Sequence, residues 1–283
     1  MKISVISYSL SHDPSSIIEW KSKLLGEIEK CVLDGAEVIL YPEFFLMGLG
    51  KYFPTLDPKE QLEKVADYVA QDLLPDVKKH LHLKDVLLVL GSSPRKADGK
   101  IFNSAPILHK GEWLFQDKLY LTPWETDFTP GEEVRVFEFK TLKTAVVICF
   151  DSEQPDLAVK LKEEGVDLVL VPSATTNKNG SQRVNRCASA RSIELGAAVV
   201  TALLVGDSVV ELIDHNEGKS GFYLPAQEDI TVEQETYSEY SVSKHIVANH
   251  SLNIPMLKKL KERNSETKPF HERIKTQLRV SPR

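Results

Sequence analysis

A chain of 283 residues with 42% hydrophobic and 27% charged residues has the balance of an ordinary globular protein and can bury a substantial core. A formal net charge of −6 gives no global argument for nucleic acid or an anionic membrane surface as partner. No apolar run approaches the roughly 18–20 residues of a membrane span. The opening Met1–Ser7 stretch is too short for a signal-peptide core and reads as a strand. The three cysteines, Cys31, Cys149 and Cys187, are odd in number and widely spaced, a poor disulfide framework that suits a reducing cytoplasm. The expectation is a soluble cytoplasmic protein.

Ile3–Ser7 is the first expected strand. Asp13 is expected to cap a helix with Pro14 in its first turn, and Ser16 and Glu19 have capping-box spacing. Ile17, Leu24, Ile28 and Cys31 recur at the intervals of one helix face, and Gly35 ends that helix. Val38–Tyr41 is a short buried strand that delivers Pro42 and Glu43 at its end. A helix is expected over much of Pro58–His80, a strand at Val86–Leu90 and a surface turn over Gly91–Lys100. Further strands are expected at Phe102–Leu108, Val134–Phe139, Thr144–Ile148, Leu168–Val171 and Ala198–Leu204. Helices at Pro155–Glu164 and Val184–Leu195 separate the later ones. Strands and helices alternate without internal repeats, which predicts an α/β fold with no boundary inside residues 1–254. Pro255–Arg283 differs, with nine Lys/Arg against three Glu, so the rest of the chain is net −12. This segment reads as a basic extension, solvated or laid over the acidic body or a partner subunit. A nucleic-acid arm is disfavoured because aromatic residues are not interleaved with the charges.

Three residues could carry chemistry. Cys149 ends an apolar run, Thr144–Ile148, and precedes a polar turn and a helix opening near Pro155. A thiol at a strand end and near a helix N-terminus is favoured as thiolate, although taken alone a strand-end cysteine is more often a small core residue. Glu43 is a carboxylate among apolar residues, where desolvation raises the pKa and suits it to carry a proton; an N-cap or an ion-pair partner is the alternative. Lys118 lies between apolar residues, and an isolated lysine is usually a surface charge. Beside a thiol it would lower the thiol's pKa and stabilise a developing oxyanion.

Pro42-Glu43 after strand–helix–strand, then Lys118 with Pro123-x-Glu125 following, then Ile148-Cys149-Phe150-Asp151 after an apolar strand, resemble the nitrilase or carbon–nitrogen hydrolase superfamily. Supporting matches include Phe102-Asn103-Ser104-Ala105, Phe128-Thr129-Pro130-Gly131, Pro155-Asp156-Leu157 and the Arg186–Glu194 stretch. The resemblance implies a four-layer α-β-β-α sandwich and a Glu-Lys-Cys triad of Glu43, Lys118 and Cys149, with Glu125 orienting the lysine. It also implies hydrolysis of a non-peptide carbon–nitrogen bond through a thioester, with no metal and no organic cofactor. The expected substrate is a small amide or carbamoyl compound, with a nitrile as the alternative and a non-catalytic scaffold as a second class. Phe150, Trp124, Ser173 and Thr175 are the expected substrate-binding residues. Members commonly pair, so a homodimer or larger homo-oligomer is expected. Lys118-Leu-x-Leu-Thr-Pro-x-Glu125 and Arg183-Val-x-Arg-Cys-Ala-x-Ala-Arg191 resemble the branch often fused to an N-acetyltransferase domain, and that domain is expected to be absent. Ala145, Leu195, Gln116 and the Pro172–Thr175 stretch depart from the common pattern without touching the triad.

Among the other signals, the eight histidines form no metal-ligand spacing with the cysteines and read as mostly exposed; His80 and His82 could ligate a metal, but a solvated pair is the favoured reading. Walker, Gly-x-Gly-x-x-Gly and Gly-x-Ser-x-Gly motifs are absent from the sequence. Cys31 and Cys187 read as packing residues, and Arg186, Arg191 and Glu194 as an ion-pair cluster rather than substrate contacts.

Overall fold

The structure is a computed structural model, and it describes residues 1–80, 85–227 and 236–262. In chain order, β1 (Lys2–Ser7), α1 (Ile17–Leu33) and β2 (Val38–Leu40) precede α2 (Pro58–Tyr68) and α3 (Leu74–His80). A π-helical turn, Val69–Leu73, joins the last two. Pro75 lacks the N–H that an unbroken α-helix would use there, so the ladder loosens just before it. β3 (Leu87–Val89), β4 (Ser93–Ala97), β5 (Lys100–His109) and β6 (Glu112–Asp117) follow. The second half runs β7 (Val136–Phe139), β8 (Leu142–Val146), α4 (Pro155–Glu163), β9 (Leu168–Ala174), α5 (Lys178–Leu195) and β10 (Ala198–Leu204). A ribbon of β11 (Gly206–Asp207) and β12 (His215–Asn216) is followed by β13 (Gly221–Tyr223), β14 (Thr236–Tyr237), β15 (Ile246–Ser251) and α6 (Ile254–Glu262).

Two mixed sheets form the centre. One has seven strands, β15-β1-β2-β3-β5-β4 with β6 on β5, and the other six, β14-β13-β10-β9-β8-β7. The period-2 alternation of each strand decides what faces what. Ile3, Val5, Val38 and Leu40 face Leu168, Leu170, Ala198 and Val200 across the inter-sheet core. The intervening Ile6 and Ile39 face outward onto Trp20, Leu24 and Ile28 of α1. On the far side Val169, Val171 and Val199 meet Leu157 and Leu161 of α4 and Ala188 of α5. Helices thus cover the outer face of both sheets, giving the four layers α-β-β-α.

Several expectations need correction. Ser16, not Asp13, caps α1, accepting the Glu19 N–H at 3.2 Å. Asp13 follows the 3-10 turn Leu10–His12 and accepts the Tyr8 hydroxyl instead. The Gly91–Lys100 surface turn is mostly β4, an edge strand, where Pro94 costs no interior ladder bond. Only Asp98-Gly99 turns, with φ of 50° and 72°, as a two-residue hairpin loop. α5 starts six residues before Val184, capped by Asn177 on Gly180 N–H at 2.9 Å. His250 is buried rather than exposed, its ring stacked on Phe222 and its pKa lowered by burial to about 4. His245 is also drawn in, onto Glu27 at 2.5 Å. The side chains of the His80/His82 pair and residues 263–283 of the basic segment lie outside the described residues. The described start of that segment packs back on the body: Lys258 and Lys261 pair with buried Asp167 at 2.8 and 2.9 Å.

Gly91 shows how tightly the turn carrying Glu43 is seated. Its φ is +61°, and a Cβ there would stand 2.1 Å from the Pro42 carbonyl oxygen. Gly91→Ala is expected to cost about 2–3 kcal/mol of stability, from left-handed strain plus backbone displacement. Urea unfolding checks this: the midpoint should fall at constant m-value, and an unchanged midpoint would refute the close approach.

Candidate active site

Three strand ends and one loop converge. Glu43 lies three residues past β2, Lys118 directly after β6, and Cys149 three residues past β8. Glu125 comes from the loop after Lys118. Lys118 is gripped by backbone on both sides: its N–H donates to Asn103 C=O at 2.8 Å, and its C=O accepts Gly131 N–H at 2.7 Å. A side chain on Gly131 would meet the Asp117 carbonyl at 3.0 Å, so this crossing needs glycine.

The Lys118 ammonium sits between two carboxylates, 2.8 Å from Glu43 Oε1 and 2.6 Å from Glu125 Oε2. Asn103 Nδ2 ties the same two together, donating to Glu43 Oε1 at 3.0 Å and Glu125 Oε1 at 2.9 Å. The N–H and hydroxyl of Thr122 donate to Glu125 Oε2 at 2.8 and 2.7 Å. The second oxygen of Glu43 accepts Ala174 N–H at 3.0 Å, and Cys149 Sγ lies 3.6 Å from Ala174 C=O. Lys118, Glu43 and Glu125 are each at most 2% exposed.

Cys149 opens a 3-10 turn, Cys149–Glu153, with φ of 46°, a left-handed conformation that a cysteine adopts only under surrounding constraint. The constraint is Asp151. Its Oδ2 accepts Ile148 N–H at 3.0 Å, and its Oδ1 accepts the N–H groups of Leu119 and Tyr120 at 3.1 and 2.8 Å. One buried carboxylate therefore pins the lysine segment to the cysteine turn. Burial raises its pKa to about 7 against the pull of those N–H donors. Asp151→Ala is expected to lower catalytic activity at least tenfold and stability by about 1–3 kcal/mol, because three backbone donors lose their partner. Activity assay beside thermal unfolding checks this, and wild-type values in both would remove Asp151 from the site.

The two glutamates are driven apart in acidity. Burial raises the pKa of Glu43, with the Glu125 charge adding to it and Lys118 opposing. Glu125 is lowered: burial pushes it up, but Lys118, Thr122 and Asn103 together outweigh burial. Lys118 is raised, because the charges of Glu43, Cys149 and Glu125 overcome its own desolvation. Burial, reinforced by Glu43, also pushes the Cys149 thiol well up despite Lys118. Burial therefore outweighs the lysine's pull toward thiolate and favours the protonated thiol. The environment thus pushes the acidities of the two neighbouring carboxyls in opposite directions, Glu43 up and Glu125 down.

Above the sulfur opens a cavity of about 260 Å³ with Cys149, Glu43 and Lys118 in its lining. Phe150, Trp124 and Thr175 also line it. Ser173 does not. It is fully buried within β9 and its hydroxyl lies 3.4 Å from Val171 C=O, because the alternation of β9 turns Ala174 and not Ser173 toward the cavity. Arg191 binds Glu194 at 2.7 Å and the Ser152 carbonyl at 3.2 Å, away from the cavity lining. The sequence does not mark Asn103, Asp151, Asn177, Arg183 or Asn216 as site residues. Asn103, Asp151 and Arg183 stand inside the quoted motifs, but nothing in one sequence marks a carboxylate or amide as a clamp.

The carbon-nitrogen hydrolase family matches residues 3–241. The probable hydrolase YhcX of Bacillus subtilis is 28% identical over 196 residues, 68% of this chain and 38% of that protein's own length. The (R)-stereoselective amidase of a Pseudomonas species is 26% identical over 189 residues, 66% of each chain. Among solved structures, the C145A mutant of the amidase from Nesterenkonia sp. AN1, in complex with butyramide, shares the fold. Its TM-score is 0.66 at 20% identity, covering 93% of this chain and 94% of that one. With most of its length matched from the first strand onward, this chain belongs to the carbon-nitrogen hydrolase family.

Proposed function

We propose that this protein is a cysteine-dependent amidase acting on a small non-peptide amide or carbamoyl compound. The single observation that carries the reading is Cys149 at the floor of a cavity, with a proton-carrying Glu43 and a doubly anchored Lys118 beside it. Glu43 accepts the thiol proton as sulfur attacks the carbonyl carbon. The resulting oxyanion is held by the Lys118 ammonium and by the Phe150 N–H, which stands in the first turn of a helix where donors lack helical partners. Glu43 then passes its proton to the departing amine, leaving a thioester. Water attacks that thioester and gives a proton to Glu43, the carbon–sulfur bond breaks, and the proton returns to the thiolate as the acid leaves.

A nitrile would use the same groups, and the amidase relative favours the amide. Ammonia release from matched amide and nitrile panels tests this, with Cys149→Ala as the zero. Amide turnover lost in that variant is the expected result; nitrile turnover alone would overturn the preference, and turnover by Cys149→Ala would overturn the nucleophile. The Lys118–Glu125 and Arg183–Arg191 stretches support membership of the branch often fused to an acetyltransferase. We further propose a cytoplasmic homodimer or larger homo-oligomer, with residues 1–254 as the hydrolase domain and the basic segment laid on it. The three cysteines are free, and among the described residues no helix is long and apolar enough to cross a membrane.

A further inference from the structure

Asn103 of β5 is fully buried and touches both glutamates of the site without entering the cavity lining. Its amide nitrogen is fully used, donating to Glu43 Oε1 at 3.0 Å and to Glu125 Oε1 at 2.9 Å. Its amide oxygen is buried without a hydrogen-bond partner among the described residues. Reversing the amide would set that oxygen against two carboxylates, so the neighbours fix the orientation. A buried acceptor without a donor destabilises a fold, and an apolar side chain of similar size would avoid it. The hold on the Lys118 backbone does not need this side chain either. The Asn103 C=O accepts the Lys118 N–H at 2.8 Å, and any residue supplies that carbonyl. What an apolar residue could not supply is two N–H donors aimed at two carboxylates.

The donors on Glu43 are unequally shared between its two oxygens. Each carboxylate oxygen offers two lone pairs. Oε1 receives the Lys118 ammonium at 2.8 Å and the Asn103 amide at 3.0 Å, which occupies both. Oε2 receives the Ala174 N–H at 3.0 Å, which leaves one place, and the Cys149 thiol hydrogen-bonds to the same carboxylate. The charged and titratable groups facing Glu43 are Lys118 after β6, Glu125 in the next loop, and Cys149 and Asp151 in the turn after β8. Burial and the Glu125 charge favour the protonated carboxyl, and Lys118 opposes them. An N–H donor on Oε1 opposes them too, because it stabilises the ionised form, and it does so without adding a charge.

We propose that Asn103 is a positioning residue for the proton transfer: with Lys118 it fills Oε1, holds Glu43 ionised, and leaves Oε2 as the oxygen that receives the thiol proton. The S–H proton passes to Oε2 and its bonding pair stays on sulfur, while Lys118 and Asn103 remain on Oε1. The use of this in turnover rests on the amidase reading. The hold on Glu43 itself governs how fast Cys149 reacts with any electrophile.

Two variants of the full chain test this. Asn103→Leu keeps a similar volume and removes both donors, whereas Asn103→Ala removes them with a smaller one. Agreement between the two therefore separates the donors from the shape, and either alone carries the test if the other does not fold. Losing a hydrogen bond to an ionised group raises that group's pKa, so the acidic limb of kcat/KM for an amide should move to higher pH by about one to two units. On that limb the rate should fall about 10–100-fold, carried by kcat, and recover above it. Glu125 keeps Lys118 and both Thr122 donors and stays an anion. Alkylation of Cys149 by iodoacetamide over the same pH range should show the same displacement without any turnover. A merely structural role would instead lower Tm and reduce activity equally at every pH. An unmoved limb in either measurement on a folded variant would overturn the proposal. A displaced alkylation limb in a protein that hydrolyses no amide would overturn the amidase reading and leave the hold of Asn103 on Glu43 standing.

Discussion

Glu43→Gln is expected to lower the rate of the proposed amide hydrolysis by about 100–10,000-fold, the range that a positioned proton carrier supplies. The substitution is close to isosteric. A glutamine carbonyl can still accept from Lys118, where Glu43 Oε1 now receives the ammonium at 2.8 Å, but it cannot take a proton from sulfur. The loss should therefore fall on kcat more than on KM. It should be large here because burial and the Glu43 charge hold the thiol protonated, leaving no resident thiolate to attack without help. The pH profile supplies an independent check. Glu43 must be ionised to act, and its pKa is raised by burial, so activity falls as pH drops through that raised value and recovers above it. The acidic limb should disappear in the glutamine variant, and alkylation of Cys149 by iodoacetamide should slow with it. Activity within tenfold of wild type, or an unchanged acidic limb, would take the proton-carrying role away from Glu43.

Much of this arrangement is legible in the sequence, and what is illegible has physical causes. Strands buried on both faces, such as Val38–Leu40 and Ala198–Leu204, announce themselves as unbroken apolar runs between turn residues. β6 was not foreseen because Glu112–Asp117 mixes charged and aromatic residues, and its entry turn, Lys110-Gly111, lacks the usual Asn or Asp. β4 was hidden by Pro94, which reads as a breaker unless the strand is known to lie at an edge. At the site, Glu43, Lys118 and Cys149 could be singled out because each interrupts apolar sequence. Ser173 was misjudged for want of one fact, the face of β9 that looks into the cavity. A helix terminus and a lysine argue for thiolate, but only the fold reveals that burial is the larger effect.

Lys118→Met should cost both stability and rate, and the two losses can be separated. The lysine is 1% exposed and neutralises two carboxylates, so an apolar replacement of similar length leaves Glu43 and Glu125 facing each other. Removing one partner from a buried ionic cluster typically costs about 3–5 kcal/mol, because a desolvated charge remains. Glu43, already raised, can relieve part of this by protonating, whereas Glu125 is held ionised by Thr122 and Asn103 as well as by the lysine. Adding Glu125→Gln should then recover at least about 1 kcal/mol of the loss in urea unfolding. The rate should not recover. The proposed oxyanion donor is missing in both variants, which sets the expected fall at about 100–1,000-fold. The same ionic set fixes the sign of the pH dependence. The lowered pKa of Glu125 means that its contribution is present at neutral pH and lost as pH falls through its folded-state value. The raised pKa of Lys118 means that its contribution is lost only as pH rises through its own. A single variant as stable as wild type would show that the cluster is not the buried ionic unit described, and a double variant that regains activity would show that Lys118 serves the fold alone.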